Sequence, residues 1–315
     1  MHPLVAIVTP VYNGANYLTE TMDCVQAQRY SNLVHVVLDN ASNDDTPAIL
    51  ARYANSRVPV VVSRNSGVLP LVANWNAAVG LIPAEAKYFR VLSADDLIAS
   101  DYVARVVEVA ERHENVGVVG CLYHATHTLP VKSPWPEGRE IFDGRWAIQR
   151  MFRGEAWLPS SHALYRVKDR VPGQPFYDGR ILVCDLDATL RVLVRTDLGF
   201  IHSDLATTRI HATSHSENVV ERYKINMCEW FYFIERYAPE AFGGLDYRGP
   251  QQLYRRYYLR QLLKWRFGAN REIYERHVAK LAALDVRPPL WQFADALGDW
   301  VLVRTGLRPV WEGFY

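Results

Sequence analysis

Residues 1–121 alternate between short β-branched runs and helical segments, and that alternation restricts the fold more than any other feature of the chain. Leu4 to Val8, Leu33 to Leu38, Val58 to Ser63, Lys87 to Leu92 and Val116 to Cys121 are apolar runs of strand length. Strands buried on both faces take this form. Helical stretches lie between them. Thr46 followed by Pro47 marks one helix start, because a capping hydroxyl and a proline at the first helical position suit the unpaired N–H groups there. Ser100 is a cap for the 101–113 stretch. Repeated strand–helix units imply a doubly wound, mostly parallel α/β sheet with right-handed crossovers.

The strands stop at polar residues: Thr9, Pro10 and Tyr12 after the first, Asp39 after the second, Asn65 after the third, and Asp95-Asp96 after the fourth. In a parallel sheet these ends share one edge, where ligands of such folds bind. Taken alone, Asp95 and Asp96 read as solvated turn acids. Their convergence with the other strand ends favours oxygen ligands for a hard divalent cation shared with phosphate. The edge has neither the Gly-x-Gly-x-x-Gly of dinucleotide folds nor a Gly-Lys-Ser/Thr P-loop. A bound diphosphate would therefore be neutralised by a metal on the acids.

With 35 Lys and Arg against 34 Asp and Glu, the 315-residue chain has a formal charge of +1 and no global field for nucleic acid. Cys24, Cys121, Cys184 and Cys228 are far apart, which excludes an obvious zinc site and fits buried thiols in a reducing cytoplasm. The N-terminal apolar run breaks at Thr9-Pro10, too short for a signal peptide, and no window approaches the roughly 20 apolar residues of a membrane span. A cytoplasmic protein is expected, with any membrane contact made from the inner surface.

Five ordered motifs resemble the inverting glycosyltransferases of family 2, whose nucleotide-sugar-binding fold is called GT-A. They are Val5-Ala6-Ile7-Val8-Thr9-Pro10-Val11-Tyr12-Asn13, Val36-Val37-Leu38-Asp39-Asn40-Ala41-Ser42, Asn65-x-Gly67, Asn74-Trp75-Asn76 and Leu92-Ser93-Ala94-Asp95-Asp96. The resemblance spans residues 4–216 and implies roles. Thr9, Pro10, Tyr12, Asp39, Asn65 and Asn74 would line the nucleotide pocket, with Tyr12 touching the base and Asp39 accepting from its ring N–H. Ser93-Ala94-Asp95 would stand at the Asp-x-Asp place, with Asp95 on Mn²⁺ or Mg²⁺ beside the diphosphate. The sequence departs from the family pattern at Ser93, where an acid is usual, and at Asn40-Ala41, since Asp39-Asn40-Ala41-Ser42 replaces the commoner Asp-Asp-Gly-Ser.

Residues 122–160 are punctuated by proline and glycine, and an acceptor side is expected there. Trp135, Trp146 and Trp157 are read either as sugar-stacking platforms or as packing residues. The Leu186, Leu190, Leu193 period places Asp185 at a helix N-terminus, where the dipole favours a carboxylate without any chemistry being required. The resemblance adds a role, since Cys184-Asp185-Leu186-Asp187 looks like the family's Glu-Asp-x-Asp motif with Asp185 as the general base. Arg209 and His211 match the family's Arg-x-His ending, and His211 would be a metal ligand or a structural residue.

Helical patterns at about 221–237, 250–267, 271–284 and 289–304 follow. The expected domains are a GT-A catalytic domain at 1–216 and a helical region at 217–315. Arg256, Arg260 and Lys264 form a basic stripe at i, i+4 spacing, read either as a solvated face of a packed helix or as a peripheral membrane contact. The expected activity is metal-assisted inverting transfer from a UDP- or dTDP-sugar to a hydroxyl of a glycan or lipid-linked acceptor. The rivals are a catalytically impaired member acting as a binding or scaffold subunit, kept open by Ser93 and Cys184, and a nucleotidyltransferase. The latter would want a glycine-rich basic loop after the first strand.

Overall fold

The computed structural model describes residues 2–129, 131–171, 173–210, 223–243 and 248–308. The chain divides into two compact units. The first takes residues 1–147, 158–179 and 184–211; the second takes 148–157, 180–183 and the chain from 212 onward.

In the first unit, β1 (Val5–Val11), α1 (Leu18–Gln26), β2 (Leu33–Asp39), α2 (Thr46–Ala51), β3 (Val60–Arg64), α3 (Leu71–Gly80) and β4 (Tyr88–Val91) form the alternating half. Then come β5 (Leu97–Ile98), α4 (Tyr102–Arg112), β6 (Val116–Ala125), β7 (Ile141–Phe142) and α5 (Gly144–Phe152), the last running on into the second unit. After these come β8 (Leu164–Arg166), α6 (Cys184–Leu193) and β9 (Asp197–Thr208). The sheet order is β3-β2-β1-β4-β8-β6-β9-β5, with β7 on β9. Strands β1 to β4 are mutually parallel, as alternation requires. β8 enters antiparallel between β4 and β6, so the second half of the sheet is mixed.

Strands β1 and β2 are buried at every position, which is why their sequences are unbroken apolar runs. The Val60–Arg64 run is different, since β3 is an edge strand with Val61 and Val62 exposed. Apolar clusters of the described residues hold the layers. One joins Ile7, Tyr88, Tyr102, Val106 and Ile201; another joins Val11, Leu18, Met22, Val37 and Leu50. Gly120 serves close approach, because a Cβ there would lie 2.1 Å from Pro159.

The second unit contains α7 (Ile225–Phe242), α8 (Arg248–Phe267), α9 (Arg271–Ala283) and α10 (Leu290–Arg304). Its centre is polar as well as aromatic. Glu229, fully buried, accepts from the backbone N–H groups of Leu182 (2.6 Å) and Val183 (3.1 Å) and pairs with Lys280 at 2.7 Å. The basic stripe of α8 is not a solvated face. Arg256 bonds Asp295 through Nε and Nη2, both at 2.7 Å, and Arg260 pairs with Asp299, so two of its three cations are spent on α10. No described helix is long and apolar enough to cross a membrane.

Two buried histidines in the first unit make its stability depend on pH. His35 on β2 shares a 2.9 Å hydrogen bond with Thr9 on β1, and burial pushes its pKa down to about 3. Burial, with the Arg90 charge second, pushes His162 down to about 3 as well. Above about pH 6.5 both are neutral, folded or unfolded. Below it the unfolded chain takes protons that the native one refuses, so stability falls by about 1.4 kcal/mol per pH unit for each histidine until the folded pKa is reached. Urea unfolding between pH 7 and pH 5 should show stability falling with pH, partly offset below about pH 6 by Asp96, whose pKa of about 6 acts in the opposite sense. His35→Asn should remove one histidine's share, about 1.4 kcal/mol per pH unit, and an unchanged slope in the variant would mean that His35 titrates as an ordinary histidine.

Candidate active site

The parallel register sets Val11, Asp39 and Arg64 level at the carboxyl edge of the sheet, and β4 ends with Val91 opposite Val8. The loops that follow are bound to one another rather than left to solvent. Asn13 N–H donates to Ser42 Oγ, Gly14 N–H to Thr46 Oγ1 and Ala15 N–H to Asp44 Oδ2, at 2.9–3.0 Å. The Thr46 hydroxyl thus serves the neighbouring loop instead of capping its own helix, and Asp44 Oδ1 accepts from Thr46 N–H. Gly14 is required by space, because a Cβ would meet Val11 at 2.5 Å.

Tyr12 leaves β1 half exposed, with its ring open to a ligand, while Pro10 is buried within β1 opposite Leu38. Thr9 is fully buried and holds His35, beneath the edge. Asp39 is 2% exposed; its Oδ2 pairs with Arg64 and its Oδ1 accepts from Ser42 N–H at 2.9 Å. Arg64 also donates to Ser42 O at 2.8 Å. A carboxylate offers about four acceptor sites, so Asp39 keeps capacity for another donor. Asn65 Nδ2 donates to Asn40 Oδ1 (2.8 Å) and to Asn74 Oδ1 (3.0 Å). Asn40 is tied through its amide to both backbone groups of Leu69. These three side chains shape the turn between β3 and α3.

The acidic turn sits against α1. Thr21 Oγ1 donates to Ala94 O and Asp96 O, each at 3.0 Å. Asp96 is buried, and its Oδ1 accepts from Arg209 N–H at 3.0 Å. Burial, then the charge of Asp95, pushes Asp96 up to about 6, while Arg209 N–H, Arg90 and the Ser93 side chain pull it down. Asp95 itself is half-buried. The Arg209 side chain is already engaged, ion-paired with Glu20 and 5.2 Å from the centre of the Tyr17 ring. Among the described residues, no group of three His, Cys, Asp or Glu side chains is placed to hold a metal by protein atoms alone. The adjacent carboxylates of Asp95 and Asp96 fit a different kind of site, in which one carboxylate anchors a cation completed by phosphate oxygens and water. His211 lies outside the described residues.

A second arm carries Asp185 at the start of α6. Ser161 Oγ donates to Asp185 Oδ2 at 2.6 Å, and Leu186 N–H to Oδ1 at 2.9 Å. Thr189, bonded to Tyr165 OH at 2.7 Å, donates to Asp185 O. No described Lys or Arg pairs with this carboxylate. Asp187, by contrast, is buried and paired with Arg191 at 3.4 Å. The arm is joined to α3, because Asn76 exchanges two 2.8 Å hydrogen bonds with the backbone of Tyr177, and Trp75 meets the Tyr177 ring edge-on. Of the three tryptophans, Trp135 is a core residue, 2% exposed among Phe142, Trp146 and Phe200. Trp146 and Trp157 are half-buried.

Residues 6–162 match the model of the glycosyl transferase family 2. An uncharacterized glycosyltransferase, RP339 of Rickettsia prowazekii, is 31% identical over 250 residues, spanning 76% of this chain and 74% of that one. The chain belongs to glycosyltransferase family 2. Against a second rickettsial glycosyltransferase the likeness spans 35% of the relative's length. The GT-A fold of this family 2 member is similar to that of S. aureus TarS 1-349 in complex with UDP-GlcNAc, at TM-score 0.61 and 16% identity over 95% of this chain and 81% of that one. Mannosyltransferase PcManGT from Pyrobaculum calidifontis, in complex with GDP-Man and Mn²⁺, gives TM-score 0.52 and 18% identity over 96% and 81%.

Two residues beside the candidate site of this glycosyltransferase, Arg64 and Ser161, escape sequence reading, because only the fold brings them to Asp39 and Asp185. The Ala41 departure leaves a measurable trace. Ala41 holds φ +56°, in the left-handed region where a Cβ costs roughly 1–2 kcal/mol. Glycine would remove that strain and return roughly half of it as unfolded-chain entropy. Ala41→Gly should therefore stabilise the protein by about 0.5–1 kcal/mol in chemical denaturation. A loss of stability would mean that the Ala41 methyl contributes more by packing than it costs by strain.

Proposed function

We propose that this family 2 glycosyltransferase moves a sugar, with inversion, from a nucleoside-diphosphate donor to a hydroxyl of a glycan or lipid-linked acceptor, with Asp185 as general base. The observation that carries the reading is the state of Asp185. It is a half-exposed carboxylate oriented by the neutral donors Ser161 and Leu186 N–H and compensated by no described cation. Such a group accepts a proton without first breaking an ion pair.

On the donor side, Tyr12 stacks with or touches the base, and Asp39, held between Arg64 and Ser42 N–H, accepts from its ring N–H. That pattern suits uracil or thymine, so UDP or dTDP sugars are the donors to try first. Asn65 and Asn74 keep the adjoining turn in shape. Ser93 offers a hydroxyl to the ribose, and Asp95 holds Mn²⁺ or Mg²⁺, which when bound neutralises the leaving diphosphate. The Mn²⁺ bound with GDP-Man in PcManGT is consistent with this use of a cation. As the acceptor oxygen attacks C1, its proton passes to Asp185 and the C1–O bond to the diphosphate breaks on the opposite face.

The reading is tested with a panel of nucleotide sugars, assayed for hydrolysis and transfer in Mn²⁺, Mg²⁺ and EDTA. Asp185→Asn should lower the transfer rate roughly 10²–10⁴-fold while donor affinity stays unchanged. Asp95→Ala should weaken donor binding in Mn²⁺ and abolish the difference between Mn²⁺ and EDTA. Near-normal transfer by Asp185→Asn would remove the base, and donor binding without turnover in the unaltered protein would favour a binding subunit.

A further inference from the structure

Helix α10 is built inside out. At about 100° per residue, Gln292, Ala296 and Asp299 fall on one side and are the buried positions of the helix. Leu290, Leu297 and Val301 fall on the opposite side, within about 40° of one another, and are 87%, 48% and 53% exposed. Trp291 (66% exposed) and Trp300 (44%) lie nine residues apart, so they stand about 180° from each other on the two shoulders of the aliphatic strip. A helix packed on a globular core turns its apolar stripe inward; this one turns its carboxylates inward and its leucines and indoles outward.

The inward side explains the inversion. Asp295 binds Arg256, and Asp299 binds Arg256, Arg260 and Arg308. The helix is held to α8 by this ion-pair cluster, which leaves its apolar side exposed. This cluster lies on the inward side, so the charge that a surface could meet is that of the exposed side. The exposed side carries no free acid, and its charged residue is Arg304, 4.9 Å from the centre of the Trp300 ring.

We propose that this face of α10 docks the protein on the surface of an anionic lipid bilayer, with the helix axis in the plane of the membrane. The arrangement matches the needs of an interfacial helix: an aliphatic strip to enter the acyl boundary, indoles at headgroup depth on both sides, and positive charge for acidic headgroups. A seam with one partner helix uses a narrower stripe, whereas here the apolar arc with its two shoulders covers about half the circumference. At 15 residues, α10 lies on a bilayer rather than spanning it. The membrane contact expected on the basic stripe of α8 thus moves to the helix that neutralises that stripe. The proposal goes beyond the transfer reaction and depends on no donor or acceptor.

The full-length protein, without nucleotide, is sedimented with phosphatidylcholine vesicles and with the same vesicles containing phosphatidylglycerol. Retention on the phosphatidylglycerol vesicles, weakened by salt and accompanied by a blue shift of tryptophan emission, is the expected result. Leu297→Glu combined with Val301→Glu should lower the bound fraction about tenfold or more, with circular dichroism and thermal midpoint unchanged. Trp291→Ala combined with Trp300→Ala should lower it by a smaller factor. Absence of retention on anionic vesicles would overturn the proposal, as would retention untouched by the two glutamates. If the glutamates instead dissociate a dimer in sedimentation velocity and no vesicle binding is seen, the face belongs to a second copy of the chain.

Discussion

A single cation in the middle of a buried strand organises the first unit. Arg90 on β4 is fully buried and, as arginine, cannot shed its proton. Its Nη1 donates to His162 O at 3.0 Å, the Tyr102 ring lies 4.4 Å from the guanidinium, and Tyr102 OH donates to the same carbonyl. Leaving such a buried charge short of a partner costs more than the roughly 1–3 kcal/mol of an unsatisfied neutral group. The cost matters because Arg90 reaches toward both arms of the site. Burial raises Asp96 in the acidic turn and the Arg90 field opposes that rise, while at His162 burial and then the Arg90 field together favour the neutral ring. His162 in turn follows Ser161, whose hydroxyl holds Asp185. The acidic turn and the segment that orients Asp185 therefore both lie beside one buried cation.

The carboxyl edge obeys a second constraint. Four parallel strands end there, and their loops satisfy part of their backbone polar groups from one another. Ser42, Asp44, Thr46, Asn40 and Asn65 do so by reaching across to neighbouring loops. The consequence is rigidity where a nucleotide would bind, since each loop is a hydrogen-bond partner of the next. Tyr12 is the large side chain left uncommitted and half exposed there, which is what a stacking residue needs.

The parallel half of the fold was legible because burial on both faces writes itself as unbroken apolar runs, and β1 and β2 are buried throughout. The antiparallel insertion of β8 was not, since three residues between β4 and β6 carry no periodic signal. The direction of the arginine stripe on α8 was unreadable for another reason. A row of cations looks the same whether it meets water or two aspartates forty residues on, and here it meets Asp295 and Asp299. Trp135 shows the same limit, because an indole in a proline-rich stretch is a platform or a core residue according to what folds over it. Arg64 and Ser161 are contacts made by topology alone.

The two departures that kept an inactive reading open look different beside their neighbours. Asp96 is already pushed up to about 6 by burial and by Asp95. An aspartate at position 93 would add a third carboxylate to that turn, and mutual repulsion would raise its neighbours further. Ser93 instead hydrogen-bonds to Asp96 and helps to hold it ionised. The turn then carries less surplus charge, so a cation at Asp95 would bind more weakly on its own and lean more on the diphosphate for affinity. Cys184 is buried at the head of α6 with its thiol in the core. A glutamate there would bury another carboxylate directly beside Asp185, whereas the thiol adds no charge and leaves Asp185 held by neutral donors. Both replacements remove charge from positions beside the candidate ligand and the candidate base, and neither removes the ligand or the base itself.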